Sequence, residues 1–144
     1  MKKIYAFAFA MLTLLGVVSC RQNHLEQDEV LDIVGVWELS AVDVTKAAAF
    51  GDETINVYVT FSQDNTFVLY QLLGEGRYSE YSGEWTLSGN FLFGSYSDGS
   101  RWASSYTVTV NKVSLVLTTS DGSQISTYRK IDAVPESVLE NLKY

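Results

Sequence analysis

The residue types that carry most enzymatic and metal chemistry are nearly missing from this chain. Its 144 residues include one cysteine and one histidine, Cys20 and His24, and both precede the β-rich region that begins at residue 33. A domain without thiol or imidazole groups cannot form Ser-His or Cys-His nucleophile pairs, nor zinc sites built from those ligands. We therefore expect a protein that is not an enzyme, with no catalytic residue, no metal site and no cofactor.

Carboxylates are the remaining source of acid–base chemistry. Glu80 and Glu84 lie four residues apart on one predicted strand, which places them about 13 Å apart. That separation is too large for a typical glycosidase pair. Asp98 and Asp121 precede glycines but lack the regular ligand spacing of calcium loops, so they predict turns.

Basic residues are also scarce. Lys2 and Lys3 lie in the leader described next, so eight of the ten Lys and Arg residues remain against 17 Asp and Glu, which takes the net charge from −7 to −9. Phosphate backbones are bound by clustered Lys and Arg, so we expect no nucleic-acid partner. The negative charge also disfavours docking on anionic lipid, so membrane attachment requires a covalent lipid.

The start of the chain has the pattern of a secretory signal. Two lysines precede the apolar run 4–18, and the small residue Ser19 follows it. The run is only marginally long for a membrane-spanning helix, which needs about 20 apolar residues. A cysteine directly after the small residue resembles a bacterial lipoprotein signal, which implies that residues 1–19 are removed and that Cys20 carries acyl chains such as palmitate. We expect the protein in the cell envelope, lipid-anchored at the outer membrane and facing the periplasm or the exterior.

The composition changes sharply at Ile33. Residues 20–32 are polar and acidic, as in a flexible tether. From Ile33 the chain is β-branched and aromatic with period two, and short turns rich in Gly, Asn and Asp interrupt it. Eight strands are predicted: Val34–Val44, Ile55–Ser62, Thr66–Leu73, Arg77–Leu87, Phe91–Tyr96, Trp102–Val110, Val113–Thr118 and Ser123–Ile131.

Consecutive strands of this number predict an all-β fold, an antiparallel up-and-down eight-stranded barrel over residues 33–132. A two-sheet sandwich is the alternative, since alternation alone does not distinguish the two. The longest gap, Thr45–Thr54, has room for one helical turn or a loop over the barrel. Residues 133–144 begin near Pro135 and predict a short C-terminal helix against the barrel.

The order of these pieces resembles the lipocalins, and in particular small lipocalin-like domains of lipoproteins from Gram-negative bacteria. Gly35-Val36-Trp37 is similar to the Gly-x-Trp signature of the family. The other similar pieces are VTFSQDNTF (59–67), YSGEW (81–85), SYSDGS (95–100), SLVL (114–117) and TYRK (127–130).

That resemblance implies a barrel whose interior holds a small apolar ligand and whose closed end is plugged by Trp37, with Gly35 beside it. It also implies a basic residue from the last strand laid over Trp37. We assign that role to Arg129. Its neighbour Lys130 is the alternative, because a one-residue shift in register exchanges the two faces of a strand.

The interior has two interpretations. As a pocket, it would be lined for a hydrophobic ligand by Phe67, Tyr81, Trp85 and Tyr106. As a packed core, the same large side chains would fill a small barrel. Gly83 and Gly94 favour open space, because a strand glycine removes side-chain volume or bends the sheet.

A second group of aromatic residues is expected to face outward. If the barrel is solid, this surface would bind an envelope protein or a glycan, which is the alternative to a membrane-anchored, non-catalytic binding module for a small apolar or amphipathic ligand. In either case we expect a monomer. The outward group contains Tyr58, Tyr70, Tyr78, Tyr96, Trp102 and Tyr128.

Replacement of the anchor residue tests the predicted attachment. Cys20→Ala removes the only sulfur that an acyl chain is expected to modify, so the protein should move from the membrane fraction to the soluble fraction. Fractionation followed by immunodetection measures this shift. A variant that stays with the membrane would contradict the lipid anchor.

Overall fold

The computed structural model describes residues 31–44 and 54–144. The predicted signal peptide, Cys20, all but the last two residues of the tether, and residues 45–53 lie outside the described residues. Within the two described stretches, no helix has the length and apolar character needed to cross a membrane.

Eight strands form one closed antiparallel sheet in which each strand pairs with its sequence neighbours and the last pairs with the first. The predicted up-and-down barrel is therefore confirmed, and a single closed sheet excludes the sandwich. The strands are β1 (Gly35–Val44), β2 (Ile55–Phe61), β3 (Thr66–Leu73), β4 (Ser79–Ser88), β5 (Phe91–Tyr96), β6 (Tyr106–Val110), β7 (Ser114–Thr119) and β8 (Gln124–Ile131).

The eight seams of the barrel differ in length. The closing seam between β1 and β8 extends from the pair Val36↔Ile131 to the pair Val44↔Gln124, with one irregularity at Ser40. By contrast, β5 and β6 pair only through Phe91↔Thr107 and Leu92↔Tyr106. This short seam exists because β6 begins at Tyr106 and not at the predicted Trp102, so residues 97–105 form a connecting segment.

The closed end is built around Trp37, whose side chain is fully buried. Its Nε1 donates a hydrogen bond of 2.9 Å to the Ile33 carbonyl, so the buried indole N–H is satisfied. Lys130, the register partner of Trp37, places Nζ 5.1 Å from the indole centroid and donates to the Val34 carbonyl at 3.2 Å. A Cβ on Gly35 would lie 2.7 Å from Lys130 Cε, so glycine makes room for this lysine.

The assignment of Arg129 to this position is wrong, because the register turns its side chain to the outer wall. There its Nε donates to Glu38 Oε2 at 2.6 Å. Tyr58 donates to the other oxygen of Glu38 at 3.1 Å, and burial together with this hydrogen bond raises the pKa of Tyr58 to about 12. Lys130, not Arg129, covers Trp37.

The predicted C-terminal helix is shorter than expected. Helix α1 spans Glu136–Leu139 and buries Val138. The chain then extends beside Tyr78, whose N–H donates to the Asn141 carbonyl at 2.9 Å and whose carbonyl accepts from Lys143 N–H at 2.8 Å. These backbone hydrogen bonds replace the ones that further helical turns would form, so residues 140–144 are not helical.

Substitution of Gly83 tests how closely the backbones of β4 and β5 approach each other. A Cβ on Gly83 would overlap the Ser95 carbonyl oxygen and lie 2.8 Å from Tyr96 Cα, both of which are backbone atoms. Gly83→Ala should therefore lower the free energy of unfolding by about 3 kcal/mol. The matched control Gly89→Ala meets no atom within 4 Å at φ +62°, so it should cost only the backbone strain of about 1 kcal/mol. Urea unfolding measures both free energies, and an equal loss of stability in the two variants would contradict the close approach of β4 and β5 at Gly83.

Candidate functional site

The end of the barrel opposite Trp37 contains an open chamber, which we call the mouth chamber. Its volume is about 640 Å³, and side chains from β1, β2, β3, β4, β5 and β8 form its wall. The lining residues are Leu39, Val42, Ile55, Val57, Leu69, Gln71, Glu80, Tyr81, Ser82, Tyr96, Ser97, Asp98, Ser100, Gln124, Ser126 and Tyr128.

A second space, the inner chamber, lies deeper in the barrel and has a volume of about 160 Å³. Five residues line both chambers, namely Leu69, Tyr96, Gln124, Ser126 and Tyr128, so the two spaces meet at these side chains. The interior is therefore a packed core at the Trp37 end and open space above it. The other residues of the inner chamber are Val59, Phe61, Phe67, Leu92, Trp102, Ala103, Tyr106 and Leu117.

Aromatic rings follow one another along the wall from the mouth chamber into the inner chamber, and we call them the aromatic row. Tyr81 and Tyr96 have centroids 6.0 Å apart, and Tyr96 lies 6.0 Å from Phe67. Phe67 meets Trp102 edge-on at 5.1 Å, and Trp102 meets Tyr106 at 6.1 Å. Such tilted and edge-on pairs favour a fixed wall, because each adds to the stability of its neighbours.

Trp102 reaches the interior from the segment between β5 and β6. Its backbone N–H donates to the Gly94 carbonyl at 3.0 Å, and a Cβ on Gly94 would lie 2.7 Å from two carbons of the indole ring. The indole thus occupies the volume that a side chain at position 94 would take. Gly94 does not open the chamber, as the sequence suggested, but admits Trp102 into its wall.

The chambers also hold polar groups. Gln124 Nε2 donates to Ser126 Oγ at 3.1 Å, and Ser126 is almost fully buried. Tyr96, Tyr106 and Tyr128 line the chambers, and none of the hydrogen bonds between described residues involves their hydroxyls. No buried side-chain polar atom of the described residues lacks a partner, so these hydroxyls are open to water in the chambers. Burial raises the pKa of each of these three phenols, so they remain protonated donors at neutral pH.

Charge is distributed unevenly along the site. The inner chamber is lined only by uncharged side chains. Glu80 and Asp98 are the charged residues in the described lining of the mouth chamber. The Glu80 side chain lies on the outward face beside Tyr70, so the carboxylate that faces the entrance is that of Asp98. Asp98 Oδ1 accepts from the Ser100 hydroxyl at 2.6 Å and from its N–H at 2.8 Å, and these bonds hold the pKa of Asp98 below its ordinary value. The entrance is therefore negative and the interior neutral.

The structure brings three of the four predicted ligand-binding residues to the chambers. Phe67 and Tyr106 line the inner chamber, and Tyr81, which is 43% exposed, lines the mouth. Trp85 lines neither chamber, which corrects its predicted place. It packs edge-on against Phe61 at 5.8 Å, and its Nε1 donates to the Thr66 carbonyl at 2.9 Å, so it belongs to the packed part of the barrel.

The predicted outward aromatic group is divided by the fold. Tyr96, Trp102 and Tyr128 lie inside and line the chambers, so their outward assignment is wrong. On the outer wall, Phe91 and Phe93 are 48% and 44% exposed, and they border an open groove of about 900 Å³ beside residues 101–105. Their alternation with buried Leu92 was the signal that would have identified them.

Sequence reasoning missed the β8 residues of the site. Gln124, Ser126 and Tyr128 alternate with Ile125 and Thr127, and they share the inward face with Lys130. Placement of Lys130 over Trp37 would have identified all three, since side chains two residues apart on a strand face the same way. In the described parts of the chain, no three His, Cys, Asp or Glu side chains come together as metal ligands would.

Comparison with known proteins agrees with the barrel fold described above. A family model described as a lipocalin-like domain matches residues 33–117. An uncharacterized protein from Bacteroides eggerthii has a similar solved structure, with a TM-score of 0.51 and 14% identity over 69% of this chain and 100% of that one. A mutant of the fluorescent protein UnaG matches with a TM-score of 0.42 and 14% identity over 70% and 97% of the two chains. No curated protein matches.

The protonation of the chamber phenols has a consequence at alkaline pH. Burial raises the pKa of Tyr106 and Tyr128 in the folded barrel, whereas both groups ionise near pH 10 when the chain is unfolded. The stability they contribute is complete below about pH 10 and is lost as the pH rises toward their folded-state values. The free energy of unfolding in urea should fall above about pH 10, and Tyr128→Phe should make the fall less steep. An unchanged slope in that variant would contradict the burial of this phenol.

Proposed function

The chain belongs to the lipocalin-like domain family, and from this premise we propose that it is a non-catalytic binding protein that takes a small apolar or amphipathic molecule into its barrel. The ligand enters by the mouth chamber and places its apolar end in the inner chamber. The observation that supports this most directly is the pair of adjoining chambers, of about 640 and 160 Å³. Binding pockets for small molecules commonly have volumes of about 300–1,000 Å³.

The chemistry of the walls also supports binding rather than catalysis. Apolar and aromatic side chains dominate the inner chamber, and a few hydroxyl and amide groups interrupt them. Such a wall gains affinity from apolar surface removed from water and orientation from a few polar contacts. Nothing on this wall supplies a nucleophile with an adjacent base.

We place this activity at the cell envelope, with the barrel held to the outer membrane by lipid on Cys20. The support comes from the leader, where two lysines, an apolar run and Ser19 precede the cysteine. Two or more acyl chains give stable anchoring, because each buried methylene contributes about 0.8 kcal/mol. A tethered barrel would collect its ligand near the membrane surface.

A second candidate function is contact with an envelope protein or a glycan through the outer wall. The exposed rings of Phe91 and Phe93 beside the outer groove favour it. Replacement of both by serine should abolish such contact and leave ligand uptake unchanged, which separates the two functions.

Obstruction of the shared wall tests ligand uptake. Ser126 lies between the chambers, so Ser126→Phe should place a ring where they meet and weaken binding of an uncharged fluorescent probe, N-phenylnaphthylamine, by about tenfold or more. Fluorescence titration of the purified protein measures the affinity. Thr127→Phe is the matched control, since the same residue is introduced one position along on the outer face.

The control should bind the probe as tightly as the parent protein. Circular dichroism and urea unfolding must show that both variants remain folded. A parent protein that does not bind the probe, or a Ser126→Phe variant that binds it unchanged, would contradict uptake into the barrel.

A further inference from the structure

We infer that the barrel selects an uncharged aromatic ligand with a hydrogen-bond acceptor, and rejects anionic amphiphiles such as fatty acids. This inference rests on the proposed function and adds the chemical class of the ligand. It follows from three properties of the chambers: the absence of a cation, the size and walls of the inner chamber, and the phenol hydroxyls without protein partners.

The described lining of the two chambers contains no lysine or arginine. Lys130, on the inward face of β8, has its Nζ over Trp37 and donates to the Val34 carbonyl. Arg101 lies between two lining residues in sequence but borders the outer groove. Arg129 forms its ion pair with Glu38 on the outer wall. A carboxylate or sulfonate inside the barrel would therefore lack a described cation to pair with.

An unpaired anion is costly in such a place. Transfer of a charge from water to an apolar site is strongly unfavourable unless an opposite charge accompanies it. Asp98 at the mouth adds repulsion, and its hydrogen bonds to Ser100 favour the ionised form by holding its pKa below the ordinary value. The site thus disfavours anions both at the entrance and inside.

The inner chamber has the size and walls for a ring. Its volume is about 160 Å³, and a dry cavity of about 150 Å³ in another protein accommodates benzene. Phe67, Trp102 and Tyr106 line this space and meet one another edge-on, and aromatic pairs gain stability from such contacts beyond buried area. A flexible alkyl chain has no ring with which to form these contacts.

The phenols specify the polar part of the ligand. Tyr96, Tyr106 and Tyr128 keep their protons, and their hydroxyls have no partner among the described residues. Among the described residues no buried side-chain polar atom lacks a partner, so these hydroxyls are open to water in the chambers. A ligand that displaces this water without replacing its hydrogen bond loses affinity, so a ligand carbonyl or ether oxygen that accepts from one of the phenols is favoured over a pure hydrocarbon.

A pair of dyes with one ring skeleton tests the charge preference. N-phenylnaphthylamine is uncharged, and anilinonaphthalenesulfonate adds one sulfonate to the same rings. Fluorescence titration at neutral pH should give an affinity for the uncharged dye that is higher by about tenfold or more. Equal affinities, or tighter binding of the sulfonate, would overturn the charge preference and leave uptake into the barrel intact, whereas binding of neither dye would overturn uptake itself.

Introduction of a cation provides the converse test. Gln124 lines both chambers, so Gln124→Lys should raise the ratio of sulfonate-dye affinity to uncharged-dye affinity by about tenfold. Ile125→Lys, one position along on the outer face, is the matched control and should leave the ratio of the two affinities unchanged. A ratio that does not respond to Gln124→Lys would overturn the electrostatic explanation.

The acceptor preference is tested with an uncharged naphthyl ketone, the dye prodan. Tyr128→Phe removes one hydroxyl donor and keeps the ring, so it should lower the ratio of prodan affinity to N-phenylnaphthylamine affinity by about fivefold or more. An equal effect on both dyes would overturn the role of the hydroxyl, since a loss of packing alone affects them alike.

Discussion

The register between the first and last strands is the constraint on which the rest of this barrel depends. The pairing of Trp37 with Lys130 closes the sheet and simultaneously decides which residues of β8 face inward. One face then supplies Lys130 to the closed end and Tyr128, Ser126 and Gln124 to the chambers. A shift by one residue would place Arg129 inside and remove every polar group that β8 contributes to the site.

Much of the fold could be predicted from local pattern, and the limits of that prediction have physical causes. Alternation and turn residues located all eight strands, and β3 and β5 were predicted with the bounds observed, because period two is a local property. The register of β8 is not local. Arg129 and Lys130 are adjacent and both basic, so only the partner strand distinguishes their faces. The end of α1 likewise depends on Tyr78, some sixty residues away in sequence.

The site was predictable in its ring chemistry but not in its shape. Phe67, Tyr81 and Tyr106 belong to inward positions of regular strands, where alternation is informative. Trp102 lies in a connecting segment, and its place inside depends on the missing side chain of Gly94. Whether a barrel of this size is filled or hollow depends on the sum of all inward volumes, which no single residue reveals.

The position of Trp102 has an evolutionary consequence. Residue 102 lies between two strands and bonds to β5 through its backbone N–H, which a change of side chain leaves in place while it alters the enclosed space. Related barrels can therefore diverge in the molecules they accept through changes in residues 97–105, at little cost to strand pairing. Because the seam between β5 and β6 is short, such substitutions fall on one side of the barrel. The other strands can keep their sequence while the ligand specificity changes.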